Sequence, residues 1–248
     1  NSVPLSWTTQ INPISMHHPN YFGPQRGLVI ADMIRELSLT DVYYLILAIR
    51  WTIGLAFLAL IGGGAIGLVV ASMGASRFRI LRGFAFGYVG IVQGIPLLGW
   101  LFIFYFGLSI WGYKLPPLVA ATLGFSIYAG AFLGEIWRGA LMAIPKTQWE
   151  AGVSIGLSYF EQLWYVIIPQ AFRIAIPPTV GFIVQLIKNT SLGAVIGFVE
   201  LTREGQLTTA ATFQPFSVYL LVAMMYFCLC FPLTRYSRII ERKRRVVR

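Results

Sequence analysis

Two ionisable side chains sit inside otherwise uncharged apolar runs of this 248-residue chain. Lys188 is followed at once by Asn189, Thr190 and Ser191, and Glu135 is followed three residues later by Arg138. A charge placed in such a run costs at least ~2.5 kcal/mol on insertion scales, so each is a functional candidate by default. Gly94-Ile95-Pro96 adds a third device. It breaks an apolar run and frees backbone groups that are tolerable only beside protein or a wet cavity. Plainer readings stay open: Lys188 as a snorkelled helix end or half of a structural ion pair, and Glu135 paired with Arg138 on one helix face. Groups of this kind hold polar matter within oil. Bond-breaking chemistry has no comparable constellation, because no His/Asp/Cys cluster marks either edge of the apolar runs. Cys228 and Cys230 lie two apart in an apolar segment and would point to different faces of a helix, which suits packing better than a metal clip. His17 and His18 have no acidic or cysteine companions, so no metal is expected. No G-x-x-x-x-G-K-[ST] sequence is present, hence no P-loop.

The elements that carry these residues follow from composition. The chain is 57% hydrophobic and 11% charged, whereas a soluble domain carries roughly 25% charged residues. Lipid must be its solvent, and the unbroken apolar runs suit helices rather than barrel strands. Five spans are expected: about 46–72, 84–111 (broken at Gly94-Ile95-Pro96), 117–137, 174–198 and 216–234. The first 40 residues are Pro-rich and polar without a compact apolar run, so no signal peptide is expected, and residues before Asn1 are left open. The organisation reads as an external segment 1–45, a membrane domain 46–234 and a basic tail 235–248.

An odd number of spans puts the two ends on opposite sides. With the tail in the cytoplasm, thirteen of nineteen Lys and Arg fall on the inside, seven of them in the tail itself. That bias fits the positive-inside rule, with Arg77, Arg79 and Arg82 as further topology determinants and the N-terminus outside. It also accounts for the net charge of +10 without nucleic acid, since a basic stretch directly after a span anchors to anionic lipid. Trp100, Phe102, Phe104, Tyr105 and Trp111 read as lipid and interface anchors. Gly62, Gly63, Gly64 and Gly67 would let another helix approach closely, within the chain or between two chains.

Between the third and fourth spans lies a loop of different character. Thr147 and Glu150 have capping-box spacing, Gly156 offers a left-handed stop, and Ser158 with Glu161 repeats the box. A helix, a glycine turn and a second helix ending by Pro169 are expected. The first helix, about eight residues long, is marginal by itself and needs a surface to dock on. Trp149, Val153 and Leu157 give it an apolar stripe. A rigid surface turn and a knob that plugs into a partner protein are both open on this spacing.

Glu150-Ala151-Gly152, then Gly156, then Val-Ile-Ile-Pro169 resembles the EAA motif of ABC importer permeases. "GIPLL" at 94–98, "GAFLGEIWRGAL" at 130–141, "IIPQAFR" at 167–173 and "KNTSL" at 188–192 resemble the polar amino acid permease subfamily. The likeness runs from about Ile46 to the C-terminus. It implies an all-α, five-helix type I importer permease in the bacterial inner membrane, paired with a second, identical or related permease. It also implies two cytoplasmic ATP-binding subunits that hold ATP and Mg, and a solute-binding protein that delivers the amino acid from outside. The chain itself would bind no cofactor and catalyse nothing. By the same likeness Glu150, Ala151, Gly152, Gly156 and Pro169 form the element that couples to the ATPase. Gln93, Gly94, Pro96, Glu135, Lys188, Asn189, Thr190 and Ser191 are expected along the path, where Lys188 would meet a carboxylate and freed carbonyls an ammonium. Gln93 stands where the pattern usually has Arg, Asn189 where it has Asp, Thr147 where it has Gly and Gly152 where it has Ala. Gln93 and Asn189 together would exchange a charged pair for a neutral one. A self-sufficient transporter or channel is the competing expectation, although no duplicated pattern divides the spans into halves.

Overall fold

The structure is a computed structural model that describes residues 35–245, with side chains as far as 241. His17, His18, Arg26 and most of the expected segment 1–45 lie outside the described residues, as do the tail side chains from Arg242 onward.

Helix α1 spans Leu39–Gly74. It starts seven residues before the uncharged run at Ile46, because Asp41 is part of its cap rather than an interruption. The Asp41 carboxylate accepts from the Ser38 amide at 2.9 Å and from the Ser38 hydroxyl at 3.0 Å, which ties down the N-terminus of the helix. Helices α2 (Arg79–Gly94) and α3 (Leu97–Ile110) follow, bent by 94° where one broken span is expected. Pro96 has no N–H to continue α2, and Ile95 before it adopts extended angles. The Pro96 carbonyl then opens α3 by accepting from Gly99 and Trp100 amides at 2.8 and 3.4 Å. Helix α4 (Pro117–Met142), the short α5 (Lys146–Ser154), α6 (Tyr159–Ile196), the short α7 (Leu201–Thr212) and α8 (Pro215–Arg245) complete the described chain. Among the described residues four helices, α1, α4, α6 and α8, are long and apolar enough to cross a membrane, and the bent α2–α3 pair makes a fifth span if counted as one.

The main axis of the fold is the α1–α4 pair. A methyl group on Gly63 would overlap Ala129, one on Gly67 would lie 3.0 Å from Leu133 Cβ, and one on Gly134 would lie 2.7 Å from Val70 Cγ1. The glycine patch of α1 is therefore spent inside the chain, where it brings two backbones together as small residues do in membranes. Gly64 points elsewhere, with only the Trp137 ring at 3.9 Å. Around this axis Leu55, Leu101, Phe125, Leu133, Phe182 and Leu186 form a buried core drawn from α1, α3, α4 and α6.

Helix α6 departs from expectation in its continuity. Pro169 does not end the second loop helix; the chain passes through it into the span. A π-helical turn over Gln162–Ile167 precedes an α segment that begins at Ile168, so Pro169 falls in a first turn, where a missing N–H costs least. The last stretch, Thr190–Ile196, winds as a 3₁₀-helix and ends at Gly197 with φ 82°.

Candidate functional site

The loop between α4 and α6 is built as a closed elbow. Helix α5 starts at Lys146 behind Pro145, whose ψ of 144° marks the entry into helical geometry. Thr147 is thus already helical and does not cap, contrary to the capping-box spacing with Glu150; the proline sets the start instead. The far end behaves as the sequence suggests. Gly156 takes φ +80°, its amide donates to the Val153 carbonyl at 2.9 Å, and the Leu157 amide donates to the Gly152 carbonyl at 3.0 Å. Those are the paired bonds of a Schellman stop. Ser158 opens α6: its amide donates to Glu161 Oε2 at 2.8 Å, and its hydroxyl accepts from the Glu161 amide at 3.4 Å.

Gln162 locks the elbow and was not singled out in the sequence. It is buried, its Nε2 donates to the Leu157 carbonyl at 2.8 Å, and it lies against Gly152 so closely that an alanine there would meet its Cγ at 2.8 Å. Glycine in place of the usual alanine is therefore matched to a neighbouring side chain. The inner face of the elbow rests on Ile144, Ile167 and Ala171, with Trp149 half-buried among them. Trp149 stacks on Tyr159 at 5.7 Å, and Arg77, from the α1–α2 turn, lies over the Tyr159 ring at 5.5 Å. The outer face is bare. Val153, Ile155, Phe160 and Trp164 are between 64 and 76% exposed, and Glu150 and Ala151 are exposed beside them. Of the expected stripe, Trp149 and Leu157 are half-buried and Val153 is 66% exposed, and Leu157 lies beyond the Gly156 stop, so the three do not form one docked face.

The residues expected along a path fall into separate groups. Glu135 pairs with Arg138, whose Nε donates to Glu135 Oε2 at 2.9 Å, and the Arg138 guanidinium lies 5.2 Å over the Phe86 ring. Lys188 faces α8 along a groove that also contains Tyr226, Arg235 and Arg238. Behind it, Thr190 is fully buried and donates to the Ile187 carbonyl at 2.6 Å, and Ser191 donates to the Lys188 carbonyl at 2.8 Å. These hydroxyls occupy carbonyls at the change from α to 3₁₀ winding. Gln93, Gly94 and Pro96 lie exposed at the α2–α3 bend, and among the described residues no hydrogen bond joins Gln93 to Asn189. One carbonyl freed by the bend is taken within the chain: Val92 accepts from Trp100 Nε1 at 3.3 Å. Trp100 is thus a brace for the bend rather than only a lipid anchor.

A buried carboxylate was also missed. Glu200 is fully buried at the start of α7, where it accepts from the Thr202 and Arg203 amides at 2.9 Å each and from the Tyr226 hydroxyl at 2.8 Å. The Leu201 amide donates to buried Thr52 at 3.2 Å, so α1, α7 and α8 meet at this point. Burial pushes the Glu200 carboxyl above its ordinary range, against the pull of its hydrogen bonds. Glutamate is not among the usual capping residues, so its type gave no cap signal at Glu200.

A bundle of membrane-length helices, a broken span and an elbow carried outside the packed core suit a transport permease. Comparison with known proteins gives the same class. Residues 63–246 match the family described as binding-protein-dependent transport system inner membrane component. The probable amino-acid ABC transporter permease protein YckA of Bacillus subtilis (strain 168) is 34% identical over 84% of this chain and 92% of its own length. The L-cystine transport system permease protein TcyB of the same organism is 38% identical over 79% and 84%. The glutamine transport system permease protein GlnP of Escherichia coli (strain K12) is 33% identical over 80% and 91%. Among solved structures, an amino acid ABC transporter crystallised with histidines superposes with a TM-score of 0.77 at 30% identity, covering 84% of this chain and all of that one. The inward-facing MetNI methionine transporter gives 0.66 at 21%, which speaks to the fold alone.

The chain belongs to the family of binding-protein-dependent transport system inner membrane components. It is a multi-pass inner membrane protein and the non-catalytic permease of an ABC transporter, a complex that also contains ATPase subunits.

Proposed function

We infer that the chain carries amino acids inward across the bacterial inner membrane as one of two paired permease subunits. Each pair works with two ATP-binding subunits, which hold ATP and Mg, and with an extracytoplasmic solute-binding protein. The relatives named for amino acids, cystine and glutamine support the substrate class. Segment 1–45 and the N-terminus lie outside, 46–234 forms the membrane domain, and the tail 235–248 lies in the cytoplasm with the elbow.

One observation carries this reading: the elbow is stiff inside and apolar outside. Its turn is closed by two backbone bonds and by Gln162, yet Val153, Ile155, Phe160 and Trp164 face away from the chain. A short helix of this kind transmits a rigid displacement once it is seated in a partner's groove. Glu150, Ala151, Gly152, Gly156 and Pro169 make up that coupling element, and Gln93, Gly94, Pro96, Glu135, Lys188, Asn189, Thr190 and Ser191 border the path. Glu135, already paired with Arg138, acts chiefly as structure.

Reconstitution tests the assignment. Purified with its ATPase subunit in vesicles, the chain should show hydrolysis that rises when binding protein and amino acid are both present. Hydrolysis indifferent to both, or an elbow protected from cysteine labelling equally with and without the ATPase, would refute it.

A further inference from the structure

The groove between α6 and α8 has a chemistry that the elbow does not explain. The two helices pack through Val184, Ile187 and Cys230. Beside that seam a groove of about 710 Å³ opens between Lys188 and the α8 stretch from Ala223 to Ile239. A second groove of about 480 Å³ adjoins it and shares Lys188, Thr234 and Arg238. Lys188, Arg235 and Arg238 face these spaces, no carboxylate lines either of them, and none of the three cations makes an ion pair among the described residues.

The apolar wall has a direction. Phe227 and Phe231 are 62 and 46% exposed and stack at 5.0 Å, forming a rail that leads away from Arg235 and Arg238 toward the middle of α8. From Phe227 to Arg238 the helix rises about 16 Å. Charge at one end and a run of exposed rings toward the other suit an amphiphile with an anionic head. A zwitterion fits less well, because its ammonium would find only neutral side-chain acceptors among the described lining residues, the hydroxyls of Tyr226, Thr234 and Ser237 and the amide oxygen of Gln185. Basic pockets between membrane helices recognise acidic lipid head groups in this way.

We propose that this groove is a binding site for one anionic phospholipid of the leaflet on the C-terminal side. Its phosphate sits on Arg235, Arg238 and Lys188, and an acyl chain lies along Phe227 and Phe231. This assignment does not depend on the role given to the elbow.

The probe is phosphatidylglycerol, with phosphatidylcholine as the neutral control. Both are added to the detergent-purified complete transporter, and retained lipid is counted by native mass spectrometry. Wild type should retain phosphatidylglycerol at least fivefold over phosphatidylcholine and melt at a higher temperature in its presence. Arg235→Gln with Arg238→Gln should abolish the preference, and Arg235→Lys with Arg238→Lys should keep it. Arg244→Gln with Arg245→Gln removes the same charge farther along the tail and should change retention little. If the double glutamine variant does not fold, Arg235→Gln and Arg238→Gln singly should each give a partial loss. Equal loss from the groove and tail pairs would overturn the proposal in favour of diffuse attraction to the basic tail. Equal retention of both lipids would remove the role of charge. Displacement of phosphatidylglycerol by millimolar free amino acid would assign the groove to the substrate path instead.

Discussion

Gly152 and Gln162 compete for the same space at the elbow, with 2.8 Å between the Gln162 Cγ and the place where a methyl group on Gly152 would sit. The contact joins the middle of α5 to the π-helical turn of α6, and the Gln162 amide closes it by bonding the Leu157 carbonyl. Gly152→Ala should gain up to ~1 kcal/mol of helix propensity and lose ~1–3 kcal/mol to overpacking. The elbow should therefore loosen, read as faster proteolysis at the loop. Gly152→Ala with Gln162→Ala should regain part of the loss. Strictly additive effects in that double-mutant cycle would show that the contact does not matter.

Gly156→Asp tests the turn itself. With φ at +80° a side chain there costs ~1–2 kcal/mol, yet nothing lies within 4 Å of its Cβ, so no packing is disturbed. Insertion and folding should survive while uptake falls well below the ATPase activity that remains. Normal uptake per ATP hydrolysed would count against the coupling role.

Arg77 lies over Tyr159, which in turn stacks on Trp149, so the α1–α2 turn, α6 and α5 are linked in one stack. An exposed cation–π pair contributes ~0.5–1 kcal/mol, too little to unfold the chain. Arg77→Ala should leave the melting temperature nearly unchanged and lower the stimulation of ATPase by binding protein, whereas Arg77→Lys should retain most of it. Unchanged stimulation in Arg77→Ala would confine the stack to packing.

What could be read from sequence here followed local rules. Apolar length gave the membrane class, Gly156 gave its left-handed turn, and Pro96 gave the break. Where reading by run or by spacing failed, a second local signal had won. Pro145 set the start of α5 ahead of Thr147, Asp41 belonged to a cap, and a π-helical turn carried α6 through Pro169. The Gly152–Gln162 contact, the use of Gly63 and Gly67 against α4, and the meeting of Glu200 with Tyr226 were out of reach. Each depends on which residues the fold brings together across 10 to 70 positions of chain, and no spacing rule encodes that.

Glu200 makes the last expectation a matter of pH. Its carboxylate caps α7 through two backbone amides and receives the Tyr226 hydroxyl, so Glu200→Gln keeps one amide bond and loses the other, at ~1 kcal/mol. Burial raises its folded pKa above the unfolded value of about 4.3. Above that value the folded chain holds the proton more tightly than the unfolded one, so stability falls as pH climbs from there through the raised pKa. The glutamine variant has no such slope. Thermal melts in detergent at pH 5 and pH 8 should therefore show wild type ahead of Glu200→Gln by more at pH 5 than at pH 8. An equal gap at both values would mean that this carboxyl does not exchange its proton with folding, and that its place at the start of α7 is a matter of hydrogen bonds alone.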